Sequence, residues 1–230
     1  MQLIYEKKAK RDIIYSIEEV IMKENTLNYI SYGMYALTFK ENDKIGGCII
    51  NTFSQVTSQD EIITVNLNKN NYSNEVIKRT KKFAINILSE DIDRNIIANF
   101  GFRSSRDTDK FQDVNYFLVD DLPIIDGSIN GYIICEIIDI VDCGTHDIII
   151  AKVINKKTLN EKSNPMTYKY YHEVIKGKAP KNAPTYQKEE ILTTEKVYVC
   201  ELCGYEYVGD IPSDFVCPIC KATREYFKEK

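Results

Sequence analysis

Tyr198-Val199-Cys200-Glu201-Leu202-Cys203-Gly204-Tyr205 and, further on, Val216-Cys217-Pro218-Ile219-Cys220 are the most informative stretch of this chain. Two C-x-x-C pairs stand thirteen residues apart. Each pair makes a tight knuckle presenting two thiolates, and two knuckles facing each other close a tetrahedral site. Four soft sulfur ligands select iron or zinc, and spacing alone leaves both open. A segment running only from 197 to 230 cannot bury a sufficient core, so the metal must supply much of its folding free energy. Gly204 lets the backbone fold back so that amides point at the sulfurs. Tyr198, Tyr205, Tyr207, Phe215 and Phe227 offer a small apolar shell around them.

Outward from this segment the character of the chain changes. Residues 177–196 place Gly177, Pro180 and Pro184 among lysines and a charged run, which reads as a linker or an extended arm. Before it, the segments 31–39, 45–51, 62–68, 83–88, 115–119, 131–140 and 147–154 are short, β-branched or aromatic, and separated by polar turns. Two helices interrupt them. One starts near Ser73 as N-cap and runs to about Lys81; the other follows Ser89, with Glu90, Asp91 and Asp93 in its first turn, and stops at Gly101. Many short strands with few helices indicate a closed or partly open antiparallel barrel. At the other end, Ile13, Ile14, Ile17, Val20 and Ile21 share one face of an expected helix over 1–25.

Bulk properties narrow the function. The 230 residues, 43% of them apolar, suffice for one medium domain and a small one. A net charge of −4 argues against nucleic acid or an anionic membrane as partner. The first residues are charged and no apolar run approaches the roughly 18 residues of a spanning helix, so a cytoplasmic protein is expected. Seven cysteines, an odd number with four crowded near the end, do not make a disulfide framework. Cys48, Cys135 and Cys143 read as buried small hydrophobes.

Neither G-x-G-x-x-G nor a P-loop motif is present. Three stretches carry chemistry instead. Gly46-Gly47-Cys48-Ile49-Ile50-Asn51-Thr52-Phe53-Ser54-Gln55-Val56-Thr57-Ser58 ends a strand in hydroxyl and amide groups suited to a flat heteroaromatic ring or a phosphate, or to an ordinary polar strand end. Phe102, Arg103, Ser104, Ser105 and Arg106 follow a glycine, and guanidinium groups bind phosphate bidentately; a solvated loop is the plainer alternative. Gly144-Thr145-His146-Asp147 is a tight turn with one of only two histidines, structural or functional.

The cysteine flanks, C-x-x-C-G-Y and S-D-F-x-C-P-x-C, resemble rubredoxin in the shortened form fused to other redox domains. That resemblance implies iron on Cys200, Cys203, Cys217 and Cys220, with a structural zinc ribbon as the alternative. Lys221 stands where rubredoxins usually carry a second glycine, and Phe215 replaces a common tryptophan. From 29 to 186 the stretches I-S-Y-G-M-Y, G-C-I-I-N-T-F-S-Q-V-T-S, N-K-N-N-Y-S, F-G-F-R-S-S-R-D-x-D-K-F, G-T-H and P-M-T-Y-x-Y-Y-H resemble the flavin reductase-like FMN-binding split barrel. Asp60 departs from a common proline, and the first residues extend beyond the usual start. Joined to a C-terminal rubredoxin, the whole resembles the high-molecular-weight rubredoxins of anaerobic bacteria.

The resemblance implies a mainly β fold: a Greek-key-like FMN-binding split β-barrel with a few helices at 29–176, a helical extension at 1–28, an arm or linker at 177–196, and a rubredoxin-like four-cysteine metal domain at 197–230. It implies that Asn51, Thr52, Gln55, Val56 and Thr57 line FMN, joined by Asn68 and Lys69, with Phe102, Arg103, Ser104 and Arg106 near the ribityl phosphate. His146 matches a histidine near the nicotinamide in related reductases. The 165–171 stretch and the 178–186 arm would cover the flavin, across a homodimer. The implied function is an electron-transferring flavo-rubredoxin oxidoreductase. It would take electrons from NAD(P)H or a reduced partner and deliver them to a flavo-diiron O2/NO reductase or a rubrerythrin-like acceptor. A free-flavin or ferric reductase with an auxiliary rubredoxin domain is one alternative, and a zinc-ribbon binding module on a β-barrel another.

Overall fold

In the strand Tyr35–Glu41 (β1), Ala36 faces one core while Leu37 and Phe39 alternate into another. Successive strand residues point to opposite faces, so such an alternation lets one sheet bury both sides. The same pattern recurs in Lys82–Leu88 (β5), where Phe83 and Ile85 face one cluster and Ala84 and Leu88 the other. It differs in Ile62–Asn68 (β4): Ile63, Val65 and Leu67 are buried, and the intervening Thr64, Asn66 and Asn68 are polar. One face of that strand belongs to the core and the other meets water or a ligand.

The computed structural model describes residues 26–175, 177 and 195–230. The expected helix at 1–25 and arm at 178–186 lie outside the described residues. Met1–Ser31 form one unit, in which Thr26–Tyr29 make a single 3-10 turn, and Tyr32–Lys230 form another. Within the second, β1, Lys44–Ile50 (β2), Phe53–Gln55 (β3), β4, β5, Ile129–Cys143 (β8) and His146–Thr158 (β9) make a seven-stranded antiparallel sheet in the order β2-β1-β5-β8-β9-β4-β3. Tyr116–Val119 (β6) and Leu122–Ile125 (β7) form a separate hairpin.

The strand order forces the sheet to curl. Laid flat, seven strands spaced by about 4.8 Å would put β2 and β3 roughly 29 Å apart. Yet only Asn51 and Thr52 separate Ile50 from Phe53, a link that reaches about 11 Å at most. The two edges are therefore brought side by side, and the sheet is a split barrel. Thr52 ties the seam: its carbonyl accepts from the Asn66 amide at 3.0 Å, and its Oγ1 donates to the Asn66 carbonyl at 3.0 Å.

Helix Tyr72–Thr80 (α1) sends Val76 and Ile77 into the cluster of Leu37, Phe39 and Phe83. Its N-cap is Asn71, whose side chain accepts from the Ser73 amide at 2.9 Å. The expected cap, Ser73, instead lies buried within the first turn. Asparagine caps as well as serine, and Lys81 closes the other end at φ 62° by donating to the Ile77 carbonyl. Helix Arg94–Phe102 (α2) covers the opposite cluster with Ile96, Ile97 and Phe100. Its cap is Asp93, so Glu90 and Asp91 precede the helix; Gly101 lies inside it, and the chain turns extended at Arg103. Tyr168–Glu173 (α3) is a short helix capped by Thr167.

Polar groups lock the hairpin to the sheet. Buried Asn86 donates to the Ala36 carbonyl and to Thr38 Oγ1 (both 3.1 Å) and accepts from the Ile125 amide at 2.9 Å. Thr38 Oγ1 in turn donates to the Pro123 carbonyl at 2.6 Å. A fully satisfied buried network of this kind specifies one arrangement of the two layers. No helix among the described residues is long and apolar enough to cross a membrane.

Candidate flavin cavity and four-cysteine metal centre

The barrel seam opens into a cavity of about 430 Å³, within the range of roughly 300–1,000 Å³ usual for ligand clefts. The end of β2 contributes Gly47 to Ile50, followed by Asn51 and Thr52, and the end of β4 contributes Asn66 and Asn68. His146 closes the turn beside Asn68, its Nδ1 2.9 Å from Thr145 Oγ1. Across from these lie Ile97 and Phe100 of α2, then Phe102, Arg103 and Ser104. The lining is rich in amides where β2 and β4 end, apolar at Ile97 and Phe100, and cationic at Arg103, with Glu201 also present. Among the described residues, no carboxylate pairs with the Arg103 guanidinium. This donor set fits a flat amphiphile with an anionic tail, as FMN is.

The cationic end is fixed from beneath. Ser105 is buried and clamps β2, its Oγ accepting from the Gly47 amide at 3.0 Å and donating to the Gly47 carbonyl at 2.8 Å. Lys110 is also buried, and its Nζ donates to the carbonyls of Asn99 and Arg103, which holds the last turn of α2 and the loop after it. Burial pushes its amine down to about 8, against the pull of Cys48 and with the repulsion of Arg103.

Of the residues expected from sequence to hold flavin, the cavity thus gathers Asn51, Thr52, Asn68, Phe102, Arg103 and Ser104, together with His146, expected near the nicotinamide. Five others stand outside it in this chain. Gln55 at the end of β3 donates to the Thr57 carbonyl, and on the turn beyond it Val56 is exposed and Thr57 Oγ1 accepts from the Ile62 amide. Lys69 pairs with Asp142 at 2.5 Å. Arg106 pairs with Glu75 and lies 4.8 Å over the Tyr72 ring. Tyr168 and Tyr171 also line the cavity, and the singled-out 165–171 stretch contains both. Asn66 was legible only as the polar face of β4.

Beside the His146 turn, Asp147 is almost wholly buried and accepts from Asn74 at 2.9 Å and Lys78 at 2.7 Å. Burial raises its pKa, but the donations of Lys78 and Asn74 and the charges of Lys78 and Lys69 outweigh this and leave it below the ordinary carboxylate value. A depressed folded-state pKa contributes stability above pH about 4 that is lost as pH falls through the folded value. Asp147→Asn is therefore expected to flatten the acid limb of a plot of stability against pH. At neutral pH it should cost about 2 kcal/mol, read from urea midpoints. An unchanged acid limb would show that Asp147 titrates alike folded and unfolded.

The four cysteines come together as their spacing implies. Val197–Cys200 (β10), Glu206–Val208 (β11) and Phe227–Glu229 (β12) form a three-stranded sheet from which two like knuckles project. In one, Gly204 donates to the Cys200 carbonyl at 2.8 Å; in the other, Lys221 donates to the Cys217 carbonyl at 3.1 Å. Sγ of Cys200 lies 3.5 Å from that of Cys220, and Cys203 lies 3.5 Å from Cys217. All four sulfurs fall within 4.8 Å of one another and are buried. A tetrahedron with metal–sulfur bonds of about 2.3 Å has edges near 3.8 Å, so the cage needs only slight adjustment to take a metal. Tyr207, Phe215 and Phe227 pack edge to face beside it, with ring centroids 4.7 and 5.3 Å apart.

Gly204 has φ 75° and Lys221 has φ 60°. The left-handed region costs a residue with a Cβ about 1–2 kcal/mol. Lys221→Gly is therefore expected to stabilise the second knuckle by about 0.5 kcal/mol after the extra chain entropy of glycine is set against it. Slower loss of metal to a chelator is the readout, and faster loss would contradict it. Of the other cysteines, Cys48 and Cys135 are buried, burial pushing Cys135 up to about 12, but Cys143 is exposed. It sits at the tip of the β8–β9 ribbon, beyond the reach of either core.

Residues 27–175 match the flavin reductase like domain, and residues 198–228 match the rubrerythrin, rubredoxin-like domain. The chain belongs to the flavin reductase-like family. Across 90% of its length and the whole of the relative it is 34% identical to the high molecular weight rubredoxin of Moorella thermoacetica. It is 32% identical to the ferric-chelate reductase (NAD(P)H) of Archaeoglobus fulgidus, over 68% of this chain and 93% of that protein. Among solved structures, flavin reductase PheA2 superposes with a TM-score of 0.54 at 25% identity, covering 62% of this chain and 88% of PheA2. The chain is a flavin oxidoreductase of this family with the domain order of a high-molecular-weight rubredoxin.

Proposed function

We propose that the chain draws electrons from NADH, NADPH or a reduced partner through FMN in the seam cavity. It then passes them to iron on Cys200, Cys203, Cys217 and Cys220. The observation that carries this reading is the presence, in one chain, of an amphiphilic cavity with a cationic end and a buried four-sulfur cage. FMN, when bound, supplies two-electron uptake with one-electron release, and a four-thiolate iron supplies a one-electron store. Asn51, Thr52 and Asn68 would hold the ring, Ile50, Ile97 and Phe100 would keep water from it, and Arg103 with Ser104 would hold the phosphate. His146, which also lines the cavity, would lie near the nicotinamide. On this reading 1–28 is an extension, 29–176 the flavin domain, 177–196 an arm or linker, and 197–230 the one-electron domain.

The active form is a homodimer. Ile138, Val141 and Ile154 are exposed apolar residues on the paired strands β8 and β9, which favours a second copy there. A second copy is also what would bring Gln55, Val56 and Thr57, with Lys69 and Arg106, toward a flavin. The acceptor is another redox protein, a flavo-diiron O2/NO reductase or a rubrerythrin-like protein, in the cytoplasm.

Visible spectra of anaerobically purified protein, with metal analysis of the same sample, test this. Flavin and ferric–thiolate bands that bleach together on adding NADH are expected. A colourless protein with stoichiometric zinc, from iron-replete cells, would overturn it. The likeness of the barrel to a ferric-chelate reductase favours a second reading, in which the small domain is auxiliary. Undiminished ferric-chelate turnover after removal of residues 196–230 would decide for that one.

A further inference from the structure

The cavity wall is not made by the barrel alone. Glu201 and Leu202, the two residues between the first pair of cysteines, line it together with Met34, Tyr171 and Phe102. From the other side, Phe102 packs against the buried cluster of Cys200, Cys203, Cys217 and Cys220. Phe102 is the last residue of α2, so its backbone is fixed by the helix and by the Lys110 amine that holds the Arg103 carbonyl. Two independent features, a shared cavity wall and a shared apolar cluster, thus bring the first cysteine knuckle to the cavity.

We propose that the first knuckle is part of the cofactor site: Leu202 covers the cavity, and Phe102 is the barrel side chain common to the cavity and the metal cluster. This rests on the reading of the cavity as an FMN site. Its consequence is competition, because Leu202 and His146 line one cavity, and a nicotinamide reaching His146 would need the space that the knuckle occupies. The small domain must leave for a nicotinamide to enter, and its return excludes the nicotinamide and water. Tethering in one chain makes that return intramolecular, so even weak docking suffices.

The test uses the full-length protein with zinc in the cysteine site, so that flavin emission is not quenched by iron. FMN is titrated into apo-flavoprotein, and iodide quenching of the bound emission reports access. Leu202→Asp is expected to weaken FMN binding about tenfold, to raise iodide quenching severalfold, and to tighten binding of NAD+ at the flavin. Glu201→Lys, an exposed position that bears on no fold, should shift quenching in the same direction. Retention of stoichiometric zinc by each variant shows that the knuckle still folds. Unchanged affinity and quenching in both variants would overturn the proposal while leaving the FMN site standing. Failure of the wild-type protein to bind FMN would overturn both.

Discussion

Replacing Cys203 by serine is expected to unfold the small domain while the barrel persists. Its buried core consists of the four cysteines with Ile211, Ala222 and Phe227. Those residues offer few large apolar side chains to bury, too little apolar area to order the backbone of 197–230. Metal capture is therefore what holds the domain folded. Cys203 is almost fully buried and faces Cys217 at 3.5 Å, so serine there removes a ligand that no other described residue can replace. Amide exchange should show residues 197–230 losing protection and 32–175 keeping it. A variant that retains stoichiometric metal and a protected small domain would falsify this account.

Gly47→Ala should be the most damaging single methyl group in the barrel. A Cβ there would stand 2.3 Å from the Leu37 carbonyl oxygen and 3.0 Å from the Phe100 ring. The first contact is with backbone, and Gly47 pairs with Thr38 in the same ladder, so relief requires β1 and β2 to part. Ser105 pins both the amide and the carbonyl of Gly47 and blocks any slide. Overpacking of this kind costs about 3 kcal/mol, and Phe100 is pushed into the cavity it lines. A urea midpoint lowered accordingly, with FMN binding reduced at least tenfold, is the expected outcome. A loss of under roughly 0.5 kcal/mol would mean that the strands separate freely at this point.

Much of this molecule was legible because its strongest signals are local. The C-x-x-C spacing fixes which sulfurs meet, and period-two alternation in β1, β4 and β5 marks the strands. What escaped is governed by distant partners. Leu122–Ile125 holds a proline and reads as loop, yet its residues are buried because Asn86 and Thr38 bind them from across the sheet. Tyr168–Glu173 is too short for a periodic signature and is held by the Thr167 cap. In the site, Asn51 and Thr52 were identifiable as strand-end polar groups, but nothing local separates them from Gln55, Val56 and Thr57. The division falls where β3 begins to pair with β4, since the cavity lining stops at Thr52 and resumes at Asn66. Leu202 stands between two metal ligands in sequence, and that it also lines the cavity depends on where the knuckle lands.

The two-residue joint at Asn51 and Thr52 has a thermodynamic corollary. A molecule lodged at the seam touches β2 on one margin of the sheet and β4, beside β3, on the other. It clasps the barrel at the place where no continuous ladder does, and the melting temperature should track ligand concentration by mass action. At a hundredfold excess over Kd the gain is about 2.7 kcal/mol. Cells poor in flavin would accordingly hold a chain more readily unzipped and degraded, so that cofactor supply sets the abundance of the protein as well as its activity.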